Sequence, residues 1–442
     1  TFCNVSCLRI LGYNRQDDLL GKNMHQQIHQ YHRDGSLFPI HECKILRSIK
    51  EGRGFTSENE VFWRSDGTAI EVEYFAYPQI KNGEVVGAVI TFMDITERTK
   101  RDNEILYLTY HDVLTGLHNR RYFEEHRDEI DNPANLPLSI IFADINGLKM
   151  TNDIFGHSAG DELIKKSSEI LKGVCRQNDL IARIGGDEFI IILPNTNEHN
   201  VKSIIERIRD GFADAQVSAI KCSVSLGYDI KTTGDQLLDQ IIATAGNQMY
   251  KDKVLNRNKN NKTMIDTLIM TLHSKSKGEK QHSDVVSQLS HAMGLALKLS
   301  EIDLNKLVKA AYLHDIGKII LEDDILYKYP LSDEEFEEMK QHAIAGYRIL
   351  NLFDDTLDIA EYVYCHHERW DGKGYPRGLK GNQIPLLSRI ISVAETYDRI
   401  LQKTDIPLDE RKQAAIERIQ KGNGAQFDPE VVALFIQIIG AQ

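Results

Sequence analysis

The sequence predicts a multidomain chain in which an α+β module is followed by an α/β module and then by an all-α module. Three observations carry this. At 442 residues the chain exceeds one ordinary core, so two to four domains are expected. Alternating strand-like runs with tight turns fill residues 55 to 95, and buried-type strands at 139–143 and 180–193 enclose a helical stretch. Beyond residue 263 the apolar pattern is helical.

Composition bounds the function. The net charge of -12 argues against a general nucleic-acid or anionic-membrane surface. Six cysteines lie scattered without a Cys-x-x-Cys pair, which fits reduced thiols in the cytoplasm. No run reaches the roughly 18 apolar residues of a membrane span, so membrane contact is not evident. The chain opens at Thr1 in mid-pattern, so the first module is expected to be N-terminally truncated, with a preceding anchor left open.

In the first module, Glu60 to Arg64 runs to a turn at Ser65-Asp66-Gly67, and Ala69 to Tyr77 alternates beyond it. Lys81-Asn82-Gly83-Glu84 turns again into a strand from Val85 to Met93. This sheet, with Leu11-Gly12-Tyr13 before it and Asp94-Ile95-Thr96-Glu97-Arg98 after it, resembles a PAS sensor domain, here residues 1–98. PAS domains hold haem, flavin, small metabolites or nothing, and the ligand here is unknown. His25, His29, His32 and His41 fall on a loop-rich polar stretch and are expected at the surface. Residues 99–112 have no Gly or Pro and carry Ile105, Leu106 and Leu108 among charges. They read as a signalling helix that pairs with its twin in a homodimer, or as a plain amphipathic linker.

In the second module, two apolar runs, Leu180 to Ile184 and Phe189 to Leu193, flank Gly185-Gly186-Asp187-Glu188, a β-hairpin with two carboxylates at its tip. Glycines lacking a Cβ allow a tight turn and close approach of a phosphate. Ser139 to Ala143 delivers Asp144 at a strand end, where α/β folds place ligand groups. Asn152 and Asp161 supply an amide and a carboxylate suited to the donor edge of guanine. With His111 to Arg121 before them, these segments resemble GGDEF diguanylate cyclases, over residues 113–262. The resemblance implies Mg²⁺ on Asp144 and Asp187, guanine on Asn152 and Asp161, and phosphates at Gly185, Gly186, Lys253 and Arg257. Glu188 would assist the metal or the proton transfer. Two domains, each holding one GTP, would face each other to make cyclic di-GMP, so dimerisation is part of the implied mechanism. Leu148, Gly246 and Asn256 replace the usual Phe, Asp and Gly, and none is a ligand. Arg176 and Asp179 match the family's Arg-x-x-Asp inhibitory site for its product.

After a basic, Asn-rich linker from Asn256 to Lys262, Leu304, Leu307, Val308, Ala311 and Tyr312 lead at helical spacing to His314-Asp315-Ile316-Gly317-Lys318. With His282, His342, His366, His367 and Glu395, five imidazoles and two carboxylates suit two ions of the Fe or Mn kind. The string His366 to Pro376 resembles the HD-GYP phosphodiesterases of cyclic di-GMP, over residues 263–442. The resemblance implies attack on phosphorus by metal-activated water, with Asp315 and Lys318 catalytic and Gly374, Tyr375 and Pro376 shaping the loop beside the substrate. Glu395 stands where an Asp is usual. Gly278 stands where a Glu would support a third metal, so two are expected. Thr404 and Pro407 fall where phosphate-binding cations are expected, with Lys403 one residue out of register, so weak hydrolysis is expected. The implied function is signal-dependent turnover of cyclic di-GMP. Two alternatives stay open: a phosphodiesterase with a GTP-sensing GGDEF domain, or a cyclase whose HD-GYP domain only binds cyclic di-GMP.

Overall fold

The computed structural model describes residues 2–275, 277–328, 330–402 and 407–440. The chain divides into two compact units, Thr1–His111 and Asp112–Gln442.

In the first unit, short helices Val5–Leu11, Met24–Ile28 and Lys44–Glu51 precede three antiparallel strands, Phe55–Trp63, Ala69–Lys81 and Glu84–Asp94, hydrogen-bonded in that order. The middle strand alternates, burying Ile70, Val72, Tyr74 and Ala76 against Leu11, Ile28, Phe38 and Phe62. The expectation for the histidines is half corrected. His32 and His41 are exposed. His25 and His29 are core residues at 6% and 2% exposure. A stretch rich in turns and polar residues still folds inward here, because Phe38 and Ile28 carry their neighbours into the core. The helix Thr96–Tyr110 closes the unit with no buried residue, and Ile105, Leu106 and Leu108 are exposed.

The second unit begins with a five-stranded sheet, in the order Val224–Lys231, Leu138–Ile145, Glu188–Leu193, Leu180–Arg183 and His118–Asn119. Its pairs are antiparallel except the last, which is parallel. The period of two along the central strands feeds two cores. Ile141, Ala143, Phe189 and Ile191 face the helices His157–Val174 and Glu198–Ala213. Ile140, Ile190 and Ile192 face Leu238, Ile241 and Ala245. Gly227 has no alternative: a Cβ there would lie 2.0 Å from the Met249 nitrogen, so its absence lets that helix lie flat on the sheet.

That helix, Leu238–Lys275, runs for 38 residues through the stretch read as a linker. It ends with Met264, Leu268 and Leu272 buried, the first two in the core of the following helices. Met150, Ala219 and Ile220, from the sheet module, belong to the same core. Beyond it, among the described residues, lie eight α-helices: Lys277–Ala296, Glu301–Leu313, Asp323–Tyr327, Asp333–Leu350, Leu357–Tyr364, Leu386–Leu401, Leu408–Lys421 and Pro429–Gly440. Gly317 lies in the turn Ile316–Ile320. A Cβ there would lie 1.9 Å from the His342 carbonyl, so the helix Asp333–Leu350 packs directly on the turn that follows Asp315.

Candidate active sites

The helical end gathers every histidine expected there. His282, His314, His342 and His366 are essentially inaccessible, Asp315 is buried beside them, and Glu395 lines the edge. Four of the five rings are aimed by a hydrogen bond at Nδ1. His314 donates to the Ala311 carbonyl (2.8 Å), His342 to Met339 (2.6 Å) and His366 to Val363. His282 Nδ1 lies 2.6 Å from Asp398 Oδ2. A ring that donates from Nδ1 presents a lone pair at Nε2. Those lone pairs face one another, 3.2 Å apart between His282 and His314 and 3.4 Å between His342 and His366. His367 Nε2 is 3.1 Å from His342 Nε2. Ring nitrogens converging this closely fit a bound cation.

Asp315 spans the two halves of this cluster. Its Oδ2 is 3.2 Å from His314 Nε2, and its Oδ1 is 3.6 Å from His342 Nε2. Oδ1 is buried without a hydrogen-bond partner. Three donor groups result: His282 with His314 and Asp315; His342 with His366 and His367; and Asp315 with His366 and Glu395. The set fits a divalent-metal centre, with Asp315 belonging to two of the three groups. Burial pushes the His282, His342, His366 and His367 rings below their ordinary pKa, which keeps them neutral as ligands. Burial would raise the Asp315 carboxyl, but His314, Lys318 and Arg399 outweigh it and hold it well below the usual range. Burial carries Asp398, the acid behind His282, up to about 6.

Lys318 lies 2.6 Å from Asp315 Oδ2 and 3.5 Å from Glu279. Glu279, one step from the position expected of a third-metal ligand, turns to Arg399 (3.1 Å) and Lys318. Gly374 is required, because a Cβ would meet the Arg369 nitrogen at 2.3 Å. Next to it the Tyr375 ring packs 4.8 Å from the His367 ring, with Pro376 following. A cavity of about 370 Å³ opens beside His367 and Glu395, and Arg369, Arg399 and Arg418 line it. These arginines come from positions other than Thr404 and Pro407. Pro407 only precedes the helix Leu408–Lys421, and Lys403 and Thr404 lie outside the described residues. Arg399, which also reaches Asp315 Oδ2 at 2.6 Å, was visible in the sequence next to Asp398 but carried no signal of its own.

At the sheet end, the strand register sets Asp144 opposite Glu188, with Asp187 adjacent. Lys253, from the long helix, lies 2.8 Å from the Asp144 carboxylate. Burial raises the Asp144 carboxyl, Lys253 lowers it, and Asp187 and Glu188 add to the rise. Three acids around one ammonium fit a divalent cation as well as a lysine. The hairpin tip does not use its glycines for unusual torsions, since neither has positive φ. Gly185 leaves room for Glu188, whose Oε2 would lie 2.8 Å from a Cβ, while Gly186 faces open space. Arg183 holds the tip, donating to the Gly186 carbonyl (2.7 Å) and to Asp112 (3.1 Å), a clamp the sequence did not suggest. Asn152 ends up beside Gly160, where a Cβ would lie 2.0 Å from its Oδ1, and Asp161 follows on the exposed side. Arg257 is drawn elsewhere: its guanidinium is 2.5 Å from Asp354, in the helical module. Arg176 and Asp179 form an exposed turn in which Asp179 accepts from the Arg176 backbone N–H at 2.7 Å.

Fold and sites together define a small α+β module, a sheet module with an acid-tipped hairpin, and a helical module with a buried histidine cluster. Family profiles agree: the chain carries a PAS domain (residues 1–97), a diguanylate cyclase GGDEF domain (109–259) and an HD domain (266–431), in that order. The HD domain implies a divalent-metal-dependent hydrolase. A cyclic di-GMP phosphodiesterase of Thermotoga maritima is 36% identical over 178 residues, covering 40% of this chain and 48% of that protein. A probable cyclic di-GMP phosphodiesterase of Vibrio cholerae is 30% identical over 248 residues, 51% of this chain and 54% of that protein. Diguanylate cyclase DgcM of Escherichia coli K12 is 27% identical over 271 residues, 58% of this chain and 61% of that protein. The chain thus spans about half the length of the curated relatives it matches. Among the described residues no helix is long and apolar enough to cross a membrane.

Proposed function

We propose that this chain both makes and hydrolyses cyclic di-GMP, with GTP as the substrate for synthesis. The observation that carries the proposal is the convergence of buried, lone-pair-bearing imidazoles around Asp315, on the same compact unit as the acid-tipped hairpin. At the hairpin, Asp144 and Asp187 would hold Mg²⁺, with Glu188 assisting. Asn152 and Asp161 would read guanine, and Lys253 and Arg257 would neutralise phosphate charge, Lys253 by leaving Asp144. Arg176 and Asp179 would bind the product as an inhibitor. The exposed Ile105, Leu106 and Leu108 offer a face for the homodimer that two opposed GTP sites need.

In the helical module, His282, His314, Asp315, His342, His366, His367 and Glu395 would hold two Fe or Mn ions. When bound, these ions supply an activated water and positive charge at the scissile phosphate. The chain's own part is orientation. The Nδ1 hydrogen bonds fix four of the five rings, Lys318 and Arg399 would meet phosphate oxygens, and the Tyr375 ring, packed on His367, would flank the substrate. A second reading, a phosphodiesterase governed by GTP, is favoured by two contacts: Arg257 engages Asp354, and Met150, from the helix that carries Asn152, lies in the helical core. Purified protein given GTP with Mg²⁺, and separately cyclic di-GMP with Mn²⁺, separates the readings by chromatography of the products. Hydrolysis without any synthesis selects the second; neither reaction refutes both.

A further inference from the structure

We propose that the core of the Thr1–His111 unit holds one transition-metal ion of the zinc, cobalt or copper kind on His25, His29 and Cys43. His25 and His29 are one turn apart along the helix Met24–Ile28 and its C-cap, and Cys43 caps the start of the helix Lys44–Glu51. All three are buried, Cys43 to 1% exposure. One donor atom from each lies within 4.8 Å of the others.

The surroundings orient these donors as outer partners orient metal ligands. His25 Nε2 is 3.1 Å from the Phe38 carbonyl and donates to it, which leaves a lone pair on Nδ1. That nitrogen is buried with no hydrogen-bond partner. An unmatched buried imidazole nitrogen is a standing penalty that a bound cation removes. His29 Nε2 is 2.8 Å from Glu60 Oε2, so its Nδ1 lone pair points to Cys43 Sγ at 3.5 Å. Glu60 is itself held by the Tyr74 hydroxyl (2.6 Å), the Ser57 hydroxyl (2.7 Å) and Lys44. A tetrahedral zinc site with Zn–N of about 2.0–2.1 Å and Zn–S of about 2.3 Å has an N···S edge of about 3.5 Å. The His29–Cys43 separation already matches it.

The donor types select the ion. Two imidazoles and a thiolate suit zinc, cobalt or copper and reject magnesium and calcium. On binding, the Cys43 S–H bond breaks, its proton leaves to solvent, and the thiolate takes the ion, with no change of oxidation state. The fourth position is left to water or a small exogenous ligand. The ion would tie the helix Met24–Ile28 to the start of Lys44–Glu51, the kind of link through which occupancy of a sensor core alters its surface.

Cobalt(II) titration of the metal-stripped full chain tests this. The helical site offers only nitrogen and oxygen donors, so a near-ultraviolet thiolate-to-cobalt charge-transfer band reports the Cys43 site alone. The band should rise to a plateau, survive in Cys3→Ser and Cys7→Ser, and vanish in Cys43→Ser. No band in the unmodified chain at saturating cobalt overturns the proposal, as does a band that survives Cys43→Ser. Should Cys43→Ser fail to fold, His25→Gln decides: the affinity read from the band should fall at least tenfold, and an unchanged affinity overturns the assignment.

Discussion

A methyl group at Gly317 should silence the hydrolase while sparing the fold. In Gly317→Ala the new Cβ would lie 1.9 Å from the His342 carbonyl and 2.4 Å from the Gly346 nitrogen. Ordinary contact starts at 3.4 Å, so the turn and the helix Asp333–Leu350 must separate by about 1.5 Å (3.4 minus 1.9). Both opposing atoms are backbone, so no side chain can swing aside. Overpacking of this kind costs about 1–3 kcal/mol, within the roughly 5–15 kcal/mol that holds a domain folded. Asp315 sits just before the turn, and His342 rides on the displaced helix. Their 3.6 Å separation is therefore what the methyl group widens. A misplacement near 1 Å costs about a hundredfold in rate. Cyclic di-GMP hydrolysis should fall by about that factor, and bound metal should drop, with synthesis from GTP little changed. Gly346→Ala is the control, since its Cβ would meet Val363 at 3.2 Å and needs a shift of only a few tenths of an ångström. Wild-type hydrolysis and metal content in Gly317→Ala would refute the reasoning.

Asp187→Ala should abolish synthesis from GTP and leave the melting temperature little changed, because the proposed metal ligand sits half-buried at a hairpin tip; a retained cyclase rate would sink the assignment. Asp354→Ala frees Arg257 from an ion pair exposed at both ends, worth at most about 1 kcal/mol, so the KM for GTP should fall by up to about fivefold. An unchanged KM would dissociate Arg257 from GTP binding. Arg176→Ala should relieve inhibition by added cyclic di-GMP through loss of a charge-assisted contact, and unchanged inhibition would reduce Arg176 and Asp179 to a solvated turn. Burial would raise the Asp112 carboxyl, but Thr115 and Arg183 outweigh it and lower its pKa. A depressed carboxyl stabilises the fold above its unfolded value of 3.8 and loses that effect as pH falls through the folded value. The melting temperature of Asp112→Asn should therefore lie below wild type at neutral pH and converge with it below pH 3.8. A gap that stays constant with pH would contradict the Arg183 clamp.

Much of the architecture was legible because the patterns were local. The alternation from Ala69 to Tyr77 is a strand whose buried residues are every second one, and the hairpin at Gly185–Glu188 forms where two apolar runs flank four small or acidic residues. The histidines of the helical site were legible as residues, not as a geometry. What converts them into a site is Gly317, which lets two backbone segments touch, and the carbonyls of Ala311, Met339 and Val363, which fix the rings. A carbonyl acceptor has no sequence letter. Two stretches misled for the opposite reason. Asn256 to Lys262 has linker composition, yet anchored helix on both sides carries it through as helix. His25 and His29 sit among polar neighbours, yet tertiary packing takes the ring and not the neighbourhood.

The cations of the hydrolase pocket make the same point where chemistry depends on it. By register, positive charge is expected after Asp398, where the sequence has Thr404 and Pro407. The pocket draws its arginines from three separate segments: Arg369 before the Gly374-Tyr375-Pro376 loop, Arg399 on the helix Leu386–Leu401, and Arg418 on the helix Leu408–Lys421. Phosphate recognition needs charge at a point in space, and any element that passes that point can supply it. Arg399 is the most informative of the three, since it already neutralises Asp315 and Glu279. Its guanidinium bonds Asp315 Oδ2 on one side and lines the cavity on the other. An arginine so placed joins the buried histidine cluster to the cavity, a link that no single position in the sequence announces.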